Sequence, residues 1–165
     1  MSNPVVTIKT NMGSIDVELF ADKAPKTVEN FLAYVKANHY DGTVFHRVIA
    51  GFMIQGGGMD KALNKKATRP PVVNEASNGL QNATGTIAMA RTNDPDSATS
   101  QFFINVKDNG ALNRSEGNPG YTVFGKVTSG MDVVKKIEAS KTSTQDGMRD
   151  VPVEAVTIES VKLKG

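Results

Sequence analysis

Apolar and polar residues alternate along the start of the chain in the pattern of an antiparallel hairpin. Residues 4–10 read P-V-V-T-I-K-T, residues 11–13 read N-M-G, and residues 14–20 alternate between polar and apolar positions. Because successive side chains of a strand point to opposite faces, such a hairpin has one buried face and one wet face. Short apolar runs bounded by glycine, asparagine and aspartate recur along the chain and predict about eight strands.

Two stretches have helical periodicity instead. After Pro25, which suits the first turn of a helix, apolar residues recur at i, i+3, i+4 and i+7 over Val28 to Val35. A second helix is expected to run through Ala139, with Ser129 as its N-cap. The sequence lacks the crossover helices that a parallel sheet requires between strands. We therefore predict a mainly β fold, a closed eight-stranded antiparallel β-barrel capped by two α-helices, with a helix-decorated β-sandwich as the alternative.

The remaining stretches show neither period. Residues 59–80 and 141–153 are polar and rich in turn-forming residues, and we predict both as loops. The last predicted strand covers residues 154–163, and its apolar parity shifts between Ile158 and Val161, which indicates a β-bulge.

The composition of the chain excludes several classes of protein but does not indicate a particular function. The 165 residues suit a single domain, 1–165, with 39% hydrophobic and 22% charged residues. A net charge of +2 is too small for the basic footprint of a protein that binds nucleic acid or an anionic membrane. The chain has no cysteine, no signal-peptide pattern at its start, and no apolar run near the ~20 residues of a membrane span. We expect a cytoplasmic monomer.

Residues 45–58 read F-H-R-V-I-A-G-F-M-I-Q-G-G-G and contain the strongest candidates for functional side chains. We predict two short strands joined by a turn, so that alternation places Arg47 opposite His46 and puts Met53 and Gln55 on a shared face. A solvated arginine on an ordinary hairpin is the simpler interpretation, because arginine is mostly exposed in proteins.

Motifs for covalent or metal chemistry are weak in this sequence. The two histidines are seven residues apart with no cysteine to complete a zinc site, and no serine lies in a nucleophile elbow. The run G-Y-T-V-F-G-K at 120–126 is followed by Val127, which has no hydroxyl for a phosphate-bound magnesium ion. A dry patch with a fixed cation remains, and it suits a reaction that breaks no covalent bond. Its expected members are Phe52, Met53 and Phe103 as apolar walls, with Arg47, Gln55 and Gln101 at the rim.

Five blocks along nearly the whole chain carry a family resemblance. They are A-P-K-T-V-E-N-F-L at 24–32, F-H-R-V-I-A-G-F-M-I-Q-G-G at 45–57, G-T-I-A-M-A at 85–90, S-Q-F-F-I at 100–104 and V-F-G-K-V at 123–127. In this order and spacing they resemble the cyclophilin family, in particular its short bacterial cytoplasmic members. The resemblance implies a peptidyl-prolyl cis-trans isomerase on an eight-stranded barrel with two helices, assisting protein folding without a cofactor. The implied partners are proline-containing peptides and unfolded protein clients.

Ten positions match residues to which this family assigns a role. They are the catalytic arginine, Arg47; the walls of the proline pocket, Phe52, Met53, Phe103 and Leu112; the polar groups that hold the substrate, Gln55 and Gln101; the segment that pairs with the substrate backbone, Ala90 and Arg91; and Tyr121, where many members carry histidine.

The sequence departs from the family pattern at residue 111 and after Ala90. Residue 111 is alanine, where animal members have tryptophan and many bacterial members have phenylalanine, so we expect only weak binding of cyclosporin, the family's cyclic peptide ligand. The loop after Ala90 is about one residue longer than in animal members. A module that binds proline-containing segments without turnover is the alternative function, although the intact Arg47, Met53, Gln55 and Phe103 favour the enzyme.

Overall fold

The computed structural model of the protein describes residues 3–164. Within this range lie eleven strands, two α-helices and two short 3-10 helices. The elements in chain order are β1 (Val5–Thr10), β2 (Gly13–Leu19), α1 (Pro25–Lys36), β3 (Thr43–Val44), β4 (Arg47–Ile49), β5 (Met53–Gly56), a 3-10 helix (Ala76–Asn78), β6 (Thr86–Met89), β7 (Phe102–Asn105), a second 3-10 helix (Gly110–Leu112), β8 (Val123–Ser129), α2 (Met131–Glu138), β9 (Thr142–Gln145), β10 (Met148–Pro152) and β11 (Thr157–Leu163).

Nine of the strands form one antiparallel sheet in the order β3-β11-β1-β2-β8-β6-β7-β5-β4. Its two edge strands, β3 and β4, are consecutive in the chain and are separated only by Phe45 and His46. The sheet therefore curls until one stretch of chain supplies both edges. This confirms the mainly β, antiparallel fold with two helices. The strand count is nine rather than eight, and no ladder between β3 and β4 closes the barrel within residues 3–164.

A separate hairpin occupies residues that we predicted as a loop. Strands β9 and β10 pair with each other, and the turn between them is Asp146-Gly147, with φ angles of 49° and 77°. Positive φ at both central residues is the requirement of a tight hairpin turn, and Asp-Gly is a favoured sequence for it. The loop prediction for 141–153 was wrong because β9, T-S-T-Q, has no apolar residue and so shows no alternation between apolar and polar positions.

The second helix begins later than expected. Ser129 is the last residue of β8, and the helix N-cap is Gly130, whose φ is 95°. A Cβ at residue 130 would lie 2.4 Å from the carbonyl oxygen of Ser14, so the chain turns at a position that only glycine fits. The predicted bulge in the last strand is confirmed, because Lys9 pairs with Ser160 and Thr10 with Ile158.

The loop at 59–80 is tied to the first helix. The Glu75 carboxylate accepts hydrogen bonds from the backbone N–H groups of Lys26 (3.3 Å) and Thr27 (2.7 Å) and from the Thr27 hydroxyl (2.7 Å). These N–H groups lie in the first turn of α1 and have no partner within the helix, so a distant carboxylate performs the capping role. No helix in residues 3–164 is long and apolar enough to span a membrane.

Two apolar clusters lie on opposite faces of the curled sheet. The main core includes Phe31 of α1, whose ring packs against those of Phe102 and Phe124 at centroid distances of 5.8 and 5.2 Å. A smaller outer cluster consists of Met53, Ala88, Phe103 and Val123. Because Phe102 and Phe103 are adjacent on β7, they point to opposite faces. The outer cluster is the foundation of the site described next.

Candidate functional site

An open pocket lies over the outer cluster. Nine of the ten predicted positions line it, and they come from five separate parts of the chain. They are Arg47, Phe52, Met53, Gln55, Ala90, Arg91, Phe103, Leu112 and Tyr121. Gln101 is the one predicted position outside this lining.

The register between β4, β5 and β7 determines which of their residues face the pocket. Arg47 on β4 pairs with Gln55 on β5, and Gln55 in turn pairs with Phe103 on β7, so the three residues form a row across the sheet. Residues directly opposite each other on antiparallel strands share a face, and their Cβ atoms are about 5 Å apart. Met53, two residues before Gln55, lies on the same face. The ladder therefore aligns a cation, an amide and an apolar floor.

The floor of the pocket is closed to solvent. Met53 is 2% exposed and Phe103 is 4% exposed. The ring of Tyr121 meets that of Phe103 edge-on, with centroids 5.7 Å apart and an interplanar angle of 80°. Phe52 and Leu112 are half-buried and pack against the same cluster. These walls enclose a space suited to a small apolar ring.

The two arginines at the rim differ in their freedom. Arg91 lies with its guanidinium carbon 4.4 Å from the centre of the Tyr121 ring, and it donates from Nε and Nη2 to the carbonyl oxygen of Gly120 at 3.2 and 3.0 Å. The Arg47 side chain is exposed, and no residue in the range 3–164 holds its guanidinium by a hydrogen bond or ion pair. Arg91 is therefore held at the rim by its hydrogen bonds, whereas the described residues offer the Arg47 guanidinium no partner.

Gln101 contacts the pocket through Gln55. The Gln55 amide donates from Nε2 to Gln101 Oε1 at 3.0 Å, which fixes the orientation of the Gln55 side chain. Gln101 itself packs over Gly58, where an added Cβ would lie 2.4 Å from Gln101 Cγ. The bare backbone of Gly58 thus makes room for the side chain that orients Gln55.

Three buried asparagines beneath the pocket were missed by the sequence analysis. Asn82, Asn105 and Asn109 are 1%, 0% and 5% exposed. Asn105 interrupts the apolar run F-F-I-N-V and lies on the same face as Phe103, and this buried polar position was the signal that could have revealed them.

His46 lies beside Arg47 in the chain but on the other face. It is 6% exposed, and its Nδ1 has no hydrogen-bond partner within the described range. Burial, together with the nearby charges of Arg47 and Lys65, lowers the pKa of His46 from 6.5 to about 4. His46 is therefore neutral at physiological pH. No group of three or more His, Cys, Asp or Glu side chains within 3–164 could hold a metal ion.

Comparison with known proteins gives a consistent family. The model of the cyclophilin-type peptidyl-prolyl cis-trans isomerase family matches residues 5–163. A peptidyl-prolyl cis-trans isomerase of Acinetobacter baylyi is 57% identical over 164 residues, covering 99% of this chain and 87% of that protein. Peptidyl-prolyl cis-trans isomerase B of Escherichia coli is 54% identical over 160 residues, covering 95% and 98%.

Solved structures agree in fold. A crystal structure of a cyclophilin-type peptidyl-prolyl cis-trans isomerase from Cryptosporidium parvum superposes with a TM-score of 0.81 at 27% identity, covering 99% of this chain and 98% of that one. A second structure of that protein, determined in the presence of the dipeptide Ala-Pro, has a TM-score of 0.80 at 27% identity, covering 98% and 99%.

The low pKa of His46 predicts a loss of stability in acid. Because the unfolded chain binds a proton at His46 below about pH 6.5 and the folded chain does so only near pH 4, the free energy of unfolding falls as the pH drops through this interval. The fall attributable to His46 should be roughly 3 kcal/mol, at about 1.36 kcal/mol for each pKa unit. Urea unfolding at a series of pH values should show a clearly smaller slope for His46→Gln than for wild type. Parallel curves would mean that His46 is not buried in its neutral form.

Proposed function

The chain belongs to the cyclophilin family of peptidyl-prolyl cis-trans isomerases, and we propose that it carries out the family's reaction in the pocket beside Arg47. The protein is an isomerase that catalyses rotation about X-Pro peptide bonds. One observation carries the proposed location. The Arg47 guanidinium, which has no hydrogen-bond or ion-pair partner within residues 3–164, lies in the same row as Gln55 and above a dry floor of Met53 and Phe103.

Rotation about an X-Pro bond presents an electronic barrier rather than a bond to be broken. Resonance opposes rotation of a peptide bond by ~18–20 kcal/mol, and uncatalysed X-Pro isomerisation takes tens to hundreds of seconds. At the twisted midpoint conjugation is lost, and the proline nitrogen becomes an acceptor with a lone pair. A donor that interacts with the twisted form better than with the planar cis or trans forms accelerates the reaction. Arg47 is the proposed donor, because its planar fork is always charged.

The other residues of the site have binding roles in this proposal. Met53 and Phe103 form the floor beneath the proline ring. The ring is the fixed end of the rotating bond, so the preceding carbonyl can turn relative to it under the Arg47 guanidinium. The side walls are Phe52, Leu112 and Tyr121. The substrate backbone is held by Gln55, which Gln101 orients, and by the segment of Ala90 and Arg91.

Peptides and flexible protein segments with an accessible proline are the proposed substrates. The related Cryptosporidium protein was crystallised in the presence of Ala-Pro, and an open pocket with an apolar floor of Met53 and Phe103 suits the same kind of ligand here. We infer that unfolded clients are bound in the same way and that the protein works as a monomer in the cytoplasm. The absence of cysteine agrees with a reducing compartment.

Replacing Arg47 tests the proposed mechanism. Arg47→Ala should leave the fold intact and lower kcat/KM. The expected loss of transition-state stabilisation is ~2–4 kcal/mol, as for the removal of one preorganised donor. Arg47→Lys should recover little, because a point charge cannot reproduce the fork. The measurement is NMR exchange on an X-Pro peptide, with the exposed Arg149→Ala as a control that removes the same charge outside the pocket. Near-normal turnover in Arg47→Ala would exclude this mechanism, and peptide binding without turnover in the wild type would favour a binding module.

The pH profile of turnover provides a second test. Arginine stays protonated throughout the accessible range, and His46, with a pKa of about 4, is neutral above pH 6. Turnover should therefore be nearly flat between about pH 6 and 9, in contrast to the bell-shaped profile of acid-base catalysis. A pronounced bell that disappears in His46→Gln would identify His46 as a catalytic group and overturn the assignment to Arg47.

Residue 111 tests the proposed edge of the binding surface. Ala111 is exposed on the 3-10 helix Gly110–Leu112, next to Leu112 of the pocket wall. An aromatic side chain buries ~150–250 Å², and partial coverage at ~25 cal/mol per Å² corresponds to about 1–2 kcal/mol, or roughly tenfold in affinity. Ala111→Trp should therefore tighten cyclosporin binding in calorimetric titration while changing small-peptide turnover much less. Equal affinities for the two proteins would show that residue 111 does not face the ligand.

A further inference from the structure

The walls of the pocket are held in two different ways. Met53, Gln55 and Phe103 belong to strands, so ladder hydrogen bonds fix their positions. Phe52, Leu112 and Tyr121 lie outside the strands, in a turn, a 3-10 helix and an irregular segment. Loop-borne groups move more than strand-borne ones unless other bonds restrain them. The three buried asparagines Asn82, Asn105 and Asn109, which we call the asparagine network, supply such bonds.

Asn105 is the centre of this network. It occupies the end of β7, pairs with Met53 in the ladder and is 0% exposed. Its Nδ2 donates to Asn82 Oδ1 at 3.1 Å and to Thr86 Oγ1 at 2.9 Å, and its Oδ1 accepts from Asn109 Nδ2 at 2.8 Å. Both amide donors and the carbonyl oxygen are therefore matched in a site without access to solvent.

Asn109 connects this centre to Phe52. Its Nδ2 donates to the backbone carbonyl of Phe52 at 2.8 Å as well as to Asn105. The backbone carbonyl of Asn109 accepts a hydrogen bond from the backbone N–H of Leu112 at 3.0 Å. This bond closes the turn that presents Leu112 to the pocket. One residue thus fixes the main chain at two of the three loop-borne walls.

Asn82 restrains the remaining wall. Its Nδ2 donates to the carbonyl of Leu112 at 3.1 Å and lies 3.5 Å from that of Tyr121. The Tyr121 N–H donates to the same Leu112 carbonyl at 3.0 Å, so Asn82 supports the junction at which the two segments meet. The backbone of Asn82 also accepts from the Asn109 N–H at 2.8 Å, which closes the network on itself.

We propose that Asn82, Asn105 and Asn109 are positioning residues for the isomerase reaction, holding Phe52, Leu112 and Tyr121 where they can grip the proline ring. This inference rests on the proposed location of the active site. A connected set of buried amides specifies one arrangement, because any shift leaves a donor or acceptor unpaired in a dry environment. The network acts on binding of the ring rather than on the rotating bond, so it contributes to the ground state and the transition state alike.

The test separates binding from turnover. Asn109→Ala removes both side-chain bonds of Asn109, and the KM for an Ala-Pro-containing peptide should rise about fivefold or more while kcat stays within about twofold, as for the loss of uniform binding. The control is Asn11→Ala, which also removes two side-chain hydrogen bonds, in this case to the backbone of Ala155 and Thr157, and does not belong to the pocket lining. The control should leave both constants unchanged. A KM equal to that of the control, or a fall in kcat with an unchanged KM, would overturn the positioning role.

A second variant distinguishes hydrogen bonding from packing. Asn109→Asp preserves the side-chain shape but removes the donor, so its carboxylate faces the acceptor oxygens of Phe52 and Asn105. The KM should rise at least as much as in Asn109→Ala, and a wild-type KM in the aspartate variant would overturn the proposal. Should this buried charge prevent folding, the alanine variant still decides the question.

Hydrogen exchange gives a readout that does not depend on activity. In Asn82→Ala the backbone amides of Leu112 and Tyr121 should exchange faster than in wild type, while those of Ile87 and Ile104 in the ladder should not change. Equal acceleration at all four amides would indicate general destabilisation and contradict the proposal.

The result for Arg47→Ala separates the hypothesis on the location of the active site from the hypothesis on the asparagine network. Loss of turnover there with no effect of Asn109→Ala rejects only the network, whereas retained turnover rejects the site and the network together.

Discussion

Strand alternation across the curled sheet is the constraint on which both the core and the pocket depend. Phe102 points inward, where its ring packs edge-on against Phe31 and Phe45 at 5.8 and 6.0 Å. Phe103, the next residue, points outward and forms the floor of the pocket. A slip of one residue in the pairing of β5 and β7 would exchange these two faces. The packing that stabilises the fold therefore also determines which side chains form the site, because the same register serves both.

Local patterns predicted the elements well where one face is buried and poorly elsewhere. The helix α1 and the first hairpin followed from their apolar periods, since burial of one face imposes the period on the sequence. The hairpin at 142–152 escaped prediction because T-S-T-Q has no apolar face, although Asp146-Gly147 was a usable turn signal. The cap at Ser129 was wrong for a nonlocal reason, since the approach of Gly130 to Ser14 cannot be read from neighbouring residues.

The site could be predicted in part, for related reasons. Alternation alone placed Met53 and Gln55 on one face, but the row through Arg47, Gln55 and Phe103 depends on pairing between strands that are far apart in sequence. The family resemblance supplied that information, because motif order stands in for register. The resemblance did not predict the asparagine network or the position of Gln101 behind Gln55. Both depend on hydrogen bonds to the backbone of other loops or to a neighbouring side chain. Such contacts leave little trace in a single sequence.

The adjacent residues His46 and Arg47 divide the electrostatics of the site. Burial keeps His46 neutral immediately before β4, whereas the side chain of Arg47, the first residue of β4, is exposed to solvent. In water, the field of an exposed guanidinium is strongly screened, and two unit charges 4 Å apart interact by only about 1 kcal/mol. In the proposed mechanism, a peptide that covers the pocket displaces this water and lowers the local dielectric, so that the same cation acts more strongly on the twisted bond. In the proposed mechanism the apolar floor is therefore part of the catalysis, because occupancy by the proline ring is what makes the Arg47 charge effective.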